Sequence, residues 1–170
     1  MLEQAEQKER IAVVTWSTIA FTLLFAVWLM FGVLSIPIQK EFNLTETQLG
    51  WLASIAILNG SIWRLPFGIL ADKYGGKKIF IGTMFVTAIF SYLVSYAETY
   101  SQLLFYAFII GFAGNAFSVG ISWNSAWFPK KDQGFALAIF GAGNVGASIT
   151  KLIAPTLLIL LPVAGYFNGF

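Results

Sequence analysis

Arg64 stands in the stretch SIWRLPFG (Ser61 to Gly68), where every other residue is apolar or small. A guanidinium is always charged and presents a planar fork of N–H donors, which suits a flat anion better than the point charge of an ammonium does. A cation inside an apolar helix is costly and needs water, carbonyl groups or an anion beside it. The chain supplies no carboxylate at that depth. All eight acids (Glu3, Glu6, Glu9, Glu41, Glu46, Asp72, Glu98, Asp132) fall in the charged head, in loops or at the ends of apolar runs. Asp72, eight residues on, is roughly 12 Å away along a helix axis. Arg64 therefore pairs with a carboxylate elsewhere, snorkels to an interface, or holds an anion; its central position in the run disfavours snorkelling.

The neighbours are those of a cavity. Gly60 and Ser61 precede Arg64 by about one turn, and Phe67 and Gly68 follow it on the same face, so small residues are expected to leave room beside the guanidinium. Pro66 cannot donate to the Ile62 carbonyl and should open the helix locally. A second cluster, FGAGNVGASITK, brings Gly141, Gly143, Asn144 and Gly146 together, with Ser148 and Lys151 beyond them. The glycines also suit close helix packing. Asn144 and Lys151, seven residues apart, share nearly one face, with the ammonium about 10 Å further out.

The elements that must position these groups are transmembrane helices. Of 170 residues, 58% are hydrophobic and 11% charged, and the mean hydropathy is +0.76. A soluble domain carries about a quarter charged residues. The apolar blocks are each long enough to cross a ~30 Å hydrocarbon core. After a charged head at 1–10, the expected spans are 11–38, 48–71, 79–97, 103–128 and 134–161, with Asn43, Thr45 or Thr47 as candidate caps in the first loop. Lys8, Arg10, Lys73, Lys77, Lys78, Lys130 and Lys131 then lie on one side and Lys40 alone on the other, which places the N-terminus in the cytoplasm. The net charge of +2 follows from this topology and points to no nucleic acid. With no cysteine and no histidine, neither disulfide chemistry nor the commonest metal ligand is available. No metal site and no cofactor is expected.

The segment GILADKYGGKK (Gly68 to Lys78) resembles the loop motif of the major facilitator superfamily, carried by Gly68, Asp72, Gly75, Lys77 and Lys78. Gly76 stands where that motif usually has a basic residue. The stretch FPKKDQGFALAIFGAGNVGASITKLIAP (Phe128 to Pro155) resembles the span 5 motif of the nitrate/nitrite porter family within it, and RLPFG is similar to the segment bearing that family's anion-binding arginine. The resemblance implies an all-α membrane fold of twelve spans in two six-span halves, with the substrate near the midplane between them. On that basis the chain is five helices of the N-terminal bundle (11–170), and the second half, with a further arginine, lies outside it. The implied partners are nitrate or nitrite and membrane lipid, and the implied location is the inner membrane of a bacterial-type cell. Position by position, Arg64 would grip the anion, Asn144 would hydrogen-bond it with Gly141 close by, and Phe117 would stack on its face. Phe25 is a candidate second wall, although one of seventeen phenylalanines also suits core or lipid. Lys151 would steer anions in the outer vestibule.

The residue types agree with such a substrate. Nitrate is flat and very weakly basic, so it is held as the anion, and aromatic faces exclude tetrahedral ions by shape. A membrane enzyme would need a nucleophile, an acid pair or a metal cluster, and the spans contain none. An exchanger for another small anion such as formate, or a non-transporting anion receptor on the same fold, are the alternatives.

Overall fold

The computed structural model describes residues 2–160, and every regular element among them is helical. The head is not a separate coil: it forms the first turns of α1 (Leu2–Trp28), where Arg10 pairs with Glu6 one turn earlier at 3.4 Å. The apolar run expected as one helix to Ile38 breaks at Leu29 and again at Leu34, giving the short α2 (Met30–Val33) and α3 (Ser35–Phe42). Pro37, in the first turn of α3, cannot donate to the Val33 carbonyl, so the second break sits where that bond is lost. Asn43 closes α3 in the left-handed conformation at φ 49°.

Of the candidate caps, Thr45 starts the next helix. Its hydroxyl accepts from the Gln48 backbone at 3.3 Å while the Gln48 side chain accepts from the Thr45 backbone at 2.9 Å. This reciprocal pair satisfies two otherwise orphaned donors, and such a cap contributes about 1 kcal/mol. It opens α4 (Glu46–Ile62), which meets α5 (Arg64–Tyr74) at a 42° bend centred on Trp63. The expected effect of Pro66 is thus seen at full size. Gly75, at φ +92°, turns the chain into α6 (Gly76–Leu93), extended by a 3-10 turn over Val94–Tyr96. Thr99 and Gln102 form a second capping box, starting α7 (Tyr100–Ile110). A 3-10 segment, Gly111–Asn115, leads into α8 (Ala116–Trp127). Last come α9 (Lys130–Gly141), a 3-10 turn at Ala142–Asn144, and α10 (Val145–Leu160). The expected end of span 5 at residue 161 and the tail PVAGYFNGF lie outside the described residues.

Counting the bent α4–α5 pair as one, five rods are long and apolar enough to cross a bilayer. Large apolar side chains such as Trp16, Leu23, Trp51, Leu65, Phe85 and Phe135 face outward, whereas Phe21, Phe80, Phe140, Leu52 and Leu103 are fully buried. In lipid there is little hydrophobic force between helices, so close backbone approach and buried hydrogen bonds hold the bundle together. α10 lies on α1 so closely that a Cβ at Gly146 would fall 2.0 Å from the Thr22 carbonyl oxygen. The Trp28 ring fills the space at Gly60 and Gly114, and its indole Nε1 donates to the Ala56 carbonyl at 3.0 Å. Asn124 donates to Ser17 Oγ at 3.0 Å, tying the fourth rod to the first.

Candidate anion-binding site

Arg64 is the first residue of α5, immediately after the bend. Its side chain is partly buried, its Nε is enclosed without a hydrogen-bond partner, and it makes no ion pair among the described residues. The carboxylate reading of the sequence therefore has no support within this part of the bundle. The guanidinium carbon instead lies 5.8 Å from the centroid of the Phe117 ring. Helices α5 and α8 are packed neighbours, so the fold brings together two residues 53 positions apart in sequence.

Phe117 belongs to an aromatic group. It packs on Phe21 at 5.7 Å and lies nearly parallel to Phe140 at 6.2 Å, while Phe21 and Phe140 stack at 4.8 Å. Phe25 joins through Phe21 at 5.3 Å and touches Trp28 at the same distance. Its link to Phe117 is therefore indirect. Phe21 and Phe140 were missed in the sequence, although Phe140 directly precedes Gly141 and Phe21 lies one turn before Phe25. Phe140 fits because Gly120 carries no side chain: a Cβ there would fall 2.1 Å from the ring.

Asn144 is exposed and donates through Nδ2 to the Gly141 carbonyl at 2.7 Å, across the 3-10 turn. One N–H and the amide oxygen remain for another partner. Beside Gly141 there is open space, with nothing within 4 Å of an added Cβ, whereas Gly143 and Gly146 are pressed against α1. The glycine cluster thus divides into a packing pair and an open position. Ser148 and Lys151 are exposed further along α10. Around Arg64 the expectation of free space on both sides needs correction. Gly68 is open, but the room at Gly60 is taken by Trp28.

The loop motif lies apart from this group. Ser122 Oγ on α8 donates to Asp72 Oδ1, linking the end of α5 to the fourth rod. The Lys73 ammonium sits 5.3 Å from the Tyr74 ring, and Lys77 and Lys78 are exposed in the first turn of α6. An apolar cleft of about 400 Å³ between α1 and α6, rimmed by Lys77 and Trp123, does not include Arg64. Among the described residues, no group of acids could hold a metal ion.

The bundle of apolar helices is thus bent next to a guanidinium that has no ion pair among the described residues and lies beside an aromatic ring. Residues 16–169 match the Major Facilitator Superfamily, and the chain belongs to that family as an integral, multi-pass membrane protein. It is similar to a probable nitrate/nitrite antiporter of Thermus thermophilus, with 61% identity over 166 residues, which is 98% of this chain and 38% of that protein. A probable nitrate transporter of Staphylococcus aureus is 33% identical over 152 residues, 89% of this chain and 37% of its own length. The chain thus spans less than two fifths of the relatives it matches.

Proposed function

We propose that this chain is the N-terminal part of a secondary transporter that moves nitrate, nitrite or both by alternating access. The observation that carries the reading is the Arg64 guanidinium, unpaired among the described residues and lying beside Phe117. The fork of N–H donors grips the oxygens of a planar anion, and the aromatic face confines it to a sheet-like space. In this reading Asn144, exposed and bonded to the Gly141 carbonyl, offers its remaining N–H to the anion. Similarity to proteins named for nitrate and nitrite supports the substrate.

The site is completed by further spans, because alternating access needs two bundles rocking about a common midplane. In this reading the N-terminus and the lysine-rich loops face the cytoplasm of a bacterial-type inner membrane. Asp72, Gly68, Gly75, Lys77 and Lys78 form the loop that couples the rods during rocking, and Lys151 draws anions toward the outer vestibule.

Counterflow in proteoliposomes of the full-length transporter, loaded with nitrate or nitrite and challenged with formate and chloride, tests this function. Exchange of nitrate or nitrite with little response to formate is the expected result. Preferential formate exchange would replace the substrate, and tight nitrate binding without flux would make the protein a receptor.

A further inference from the structure

Phe112 lies inside the 3-10 segment of the fourth rod. Its ring meets Trp63 edge-on at 5.9 Å and stacks on Phe67 at 5.4 Å with 25° between planes. Trp63 is the residue at which the second rod bends by 42°, Phe67 follows one turn later, and Arg64 lies between them in sequence. One ring therefore touches the rod on both sides of the arginine. The Phe67 N–H donates to the Trp63 carbonyl at 3.0 Å, so this turn is a closed unit that moves with whatever holds its two aromatic side chains.

A bend made by a missing hydrogen bond at Pro66 has no fixed angle of its own, and outside packing must set it. That packing comes from the rod that also carries Phe117. Each residue wound as 3-10 turns the next by about 20° more than an α-helix does, so the Gly111–Asn115 segment fixes the angle between Phe112 and Phe117 around their common axis. Asn59 Nδ2 donates to the Phe108 carbonyl in the last turn of α7, just before this segment, securing the two rods against each other.

We propose that Phe112 is the positioning residue of Arg64: held between Trp63 and Phe67, its ring fixes the bend and hence the plane of the guanidinium relative to Phe117. This rests on the reading of Arg64 as the anion ligand. Phe112 touches no substrate in this role. Its contribution is to the discrimination of flat from spherical anions, since a sphere needs only the charge, whereas a plate needs guanidinium and aromatic face in register.

The test is calorimetric titration of the full-length transporter with nitrate and with chloride, for wild type, Phe112→Leu, Phe112→Tyr and Arg64→Lys. Leucine keeps apolar bulk and removes the flat ring. Phe112→Leu is expected to weaken nitrate about tenfold and chloride less than twofold, so that the ratio of affinities falls at least fivefold; Phe112→Tyr stays within twofold of wild type. If Phe112→Leu does not fold, Trp63→Leu takes its place, because Trp63 is 42% exposed and its loss removes one side of the clamp. An unchanged ratio, or equal weakening of both anions, overturns the positioning role while Arg64→Lys still abolishes nitrate binding. Wild-type nitrate affinity in Arg64→Lys overturns the anion-site reading itself.

Discussion

The guanidinium carbon of Arg64 and the ring of Phe117 lie 5.8 Å apart on different rods, and no carboxylate pairs with the arginine among the described residues. An aromatic face attracts a cation without neutralising it, at about 0.5–2 kcal/mol. The charge remains available to a ligand. This is the arrangement expected of a group that must be held in place yet left unsatisfied.

Arg64→Lys keeps the charge and loses the planar fork. Hydrogen bonds to charged groups contribute about 1.5–3 kcal/mol each, so nitrate affinity is expected to fall at least tenfold. Calorimetry on the full-length protein checks it, and binding within threefold of wild type would remove Arg64 as the ligand.

Phe117→Leu retains volume and removes the aromatic face. If the ring both holds Arg64 in place and walls the anion, a loss of about 0.5–2 kcal/mol predicts roughly twofold to thirtyfold weaker nitrate affinity. Phe117→Tyr should restore most of it. Equal affinities across the three proteins would show that the ring only fills space.

Gly141 and Gly146 should separate function from packing. Gly146→Ala drives a Cβ into the Thr22 carbonyl, and overpacking of this kind costs about 1–3 kcal/mol, visible as a lower melting temperature in detergent. Gly141→Ala enters open space and should leave the melting temperature unchanged while weakening nitrate. The reverse pattern would reject this division.

Asn144→Ala should weaken nitrate about tenfold through a lost hydrogen bond to a charged partner. Lys151→Ala is expected to leave affinity unchanged and to slow uptake from outside, most strongly at low salt where steering is least screened. Uptake rates with the same salt dependence in both proteins would end the steering role.

Ser122→Ala removes the hydroxyl that donates to Asp72 and should slow transport several-fold with nitrate affinity intact, because the link lies away from Arg64. A matched loss of affinity in the same variant would instead place the loop motif in the binding step.

The fold was legible where its causes are local. Apolar blocks of bilayer length, the Thr45 cap and the breaker at Pro66 are written in adjacent residues, and each appears close to its expected place. Arg64 could be singled out because a charge in an apolar run is conspicuous whatever surrounds it. Its aromatic setting was less legible. Phe21, Phe112 and Phe140 carry no local mark among seventeen phenylalanines, and what distinguishes them is the rod they meet. The break at Leu29 was hidden by unbroken hydrophobicity, since apolar composition reports burial in lipid and says little about backbone continuity, whereas the break at Leu34 has a local mark in Pro37 that the sequence reading passed over.

Among the described residues no carboxylate offsets the charge of Arg64. If Arg64 holds the anion as proposed, closing the site while empty would trap a bare cation in a low-dielectric enclosure, whereas closing it around a monovalent anion offsets the Arg64 charge. The barrier to reorientation is then lower for the occupied carrier than for the vacant one. Under the proposed function such a carrier is expected to cycle fastest when an anion rides on both legs, and removing the anion from the receiving compartment should then slow it.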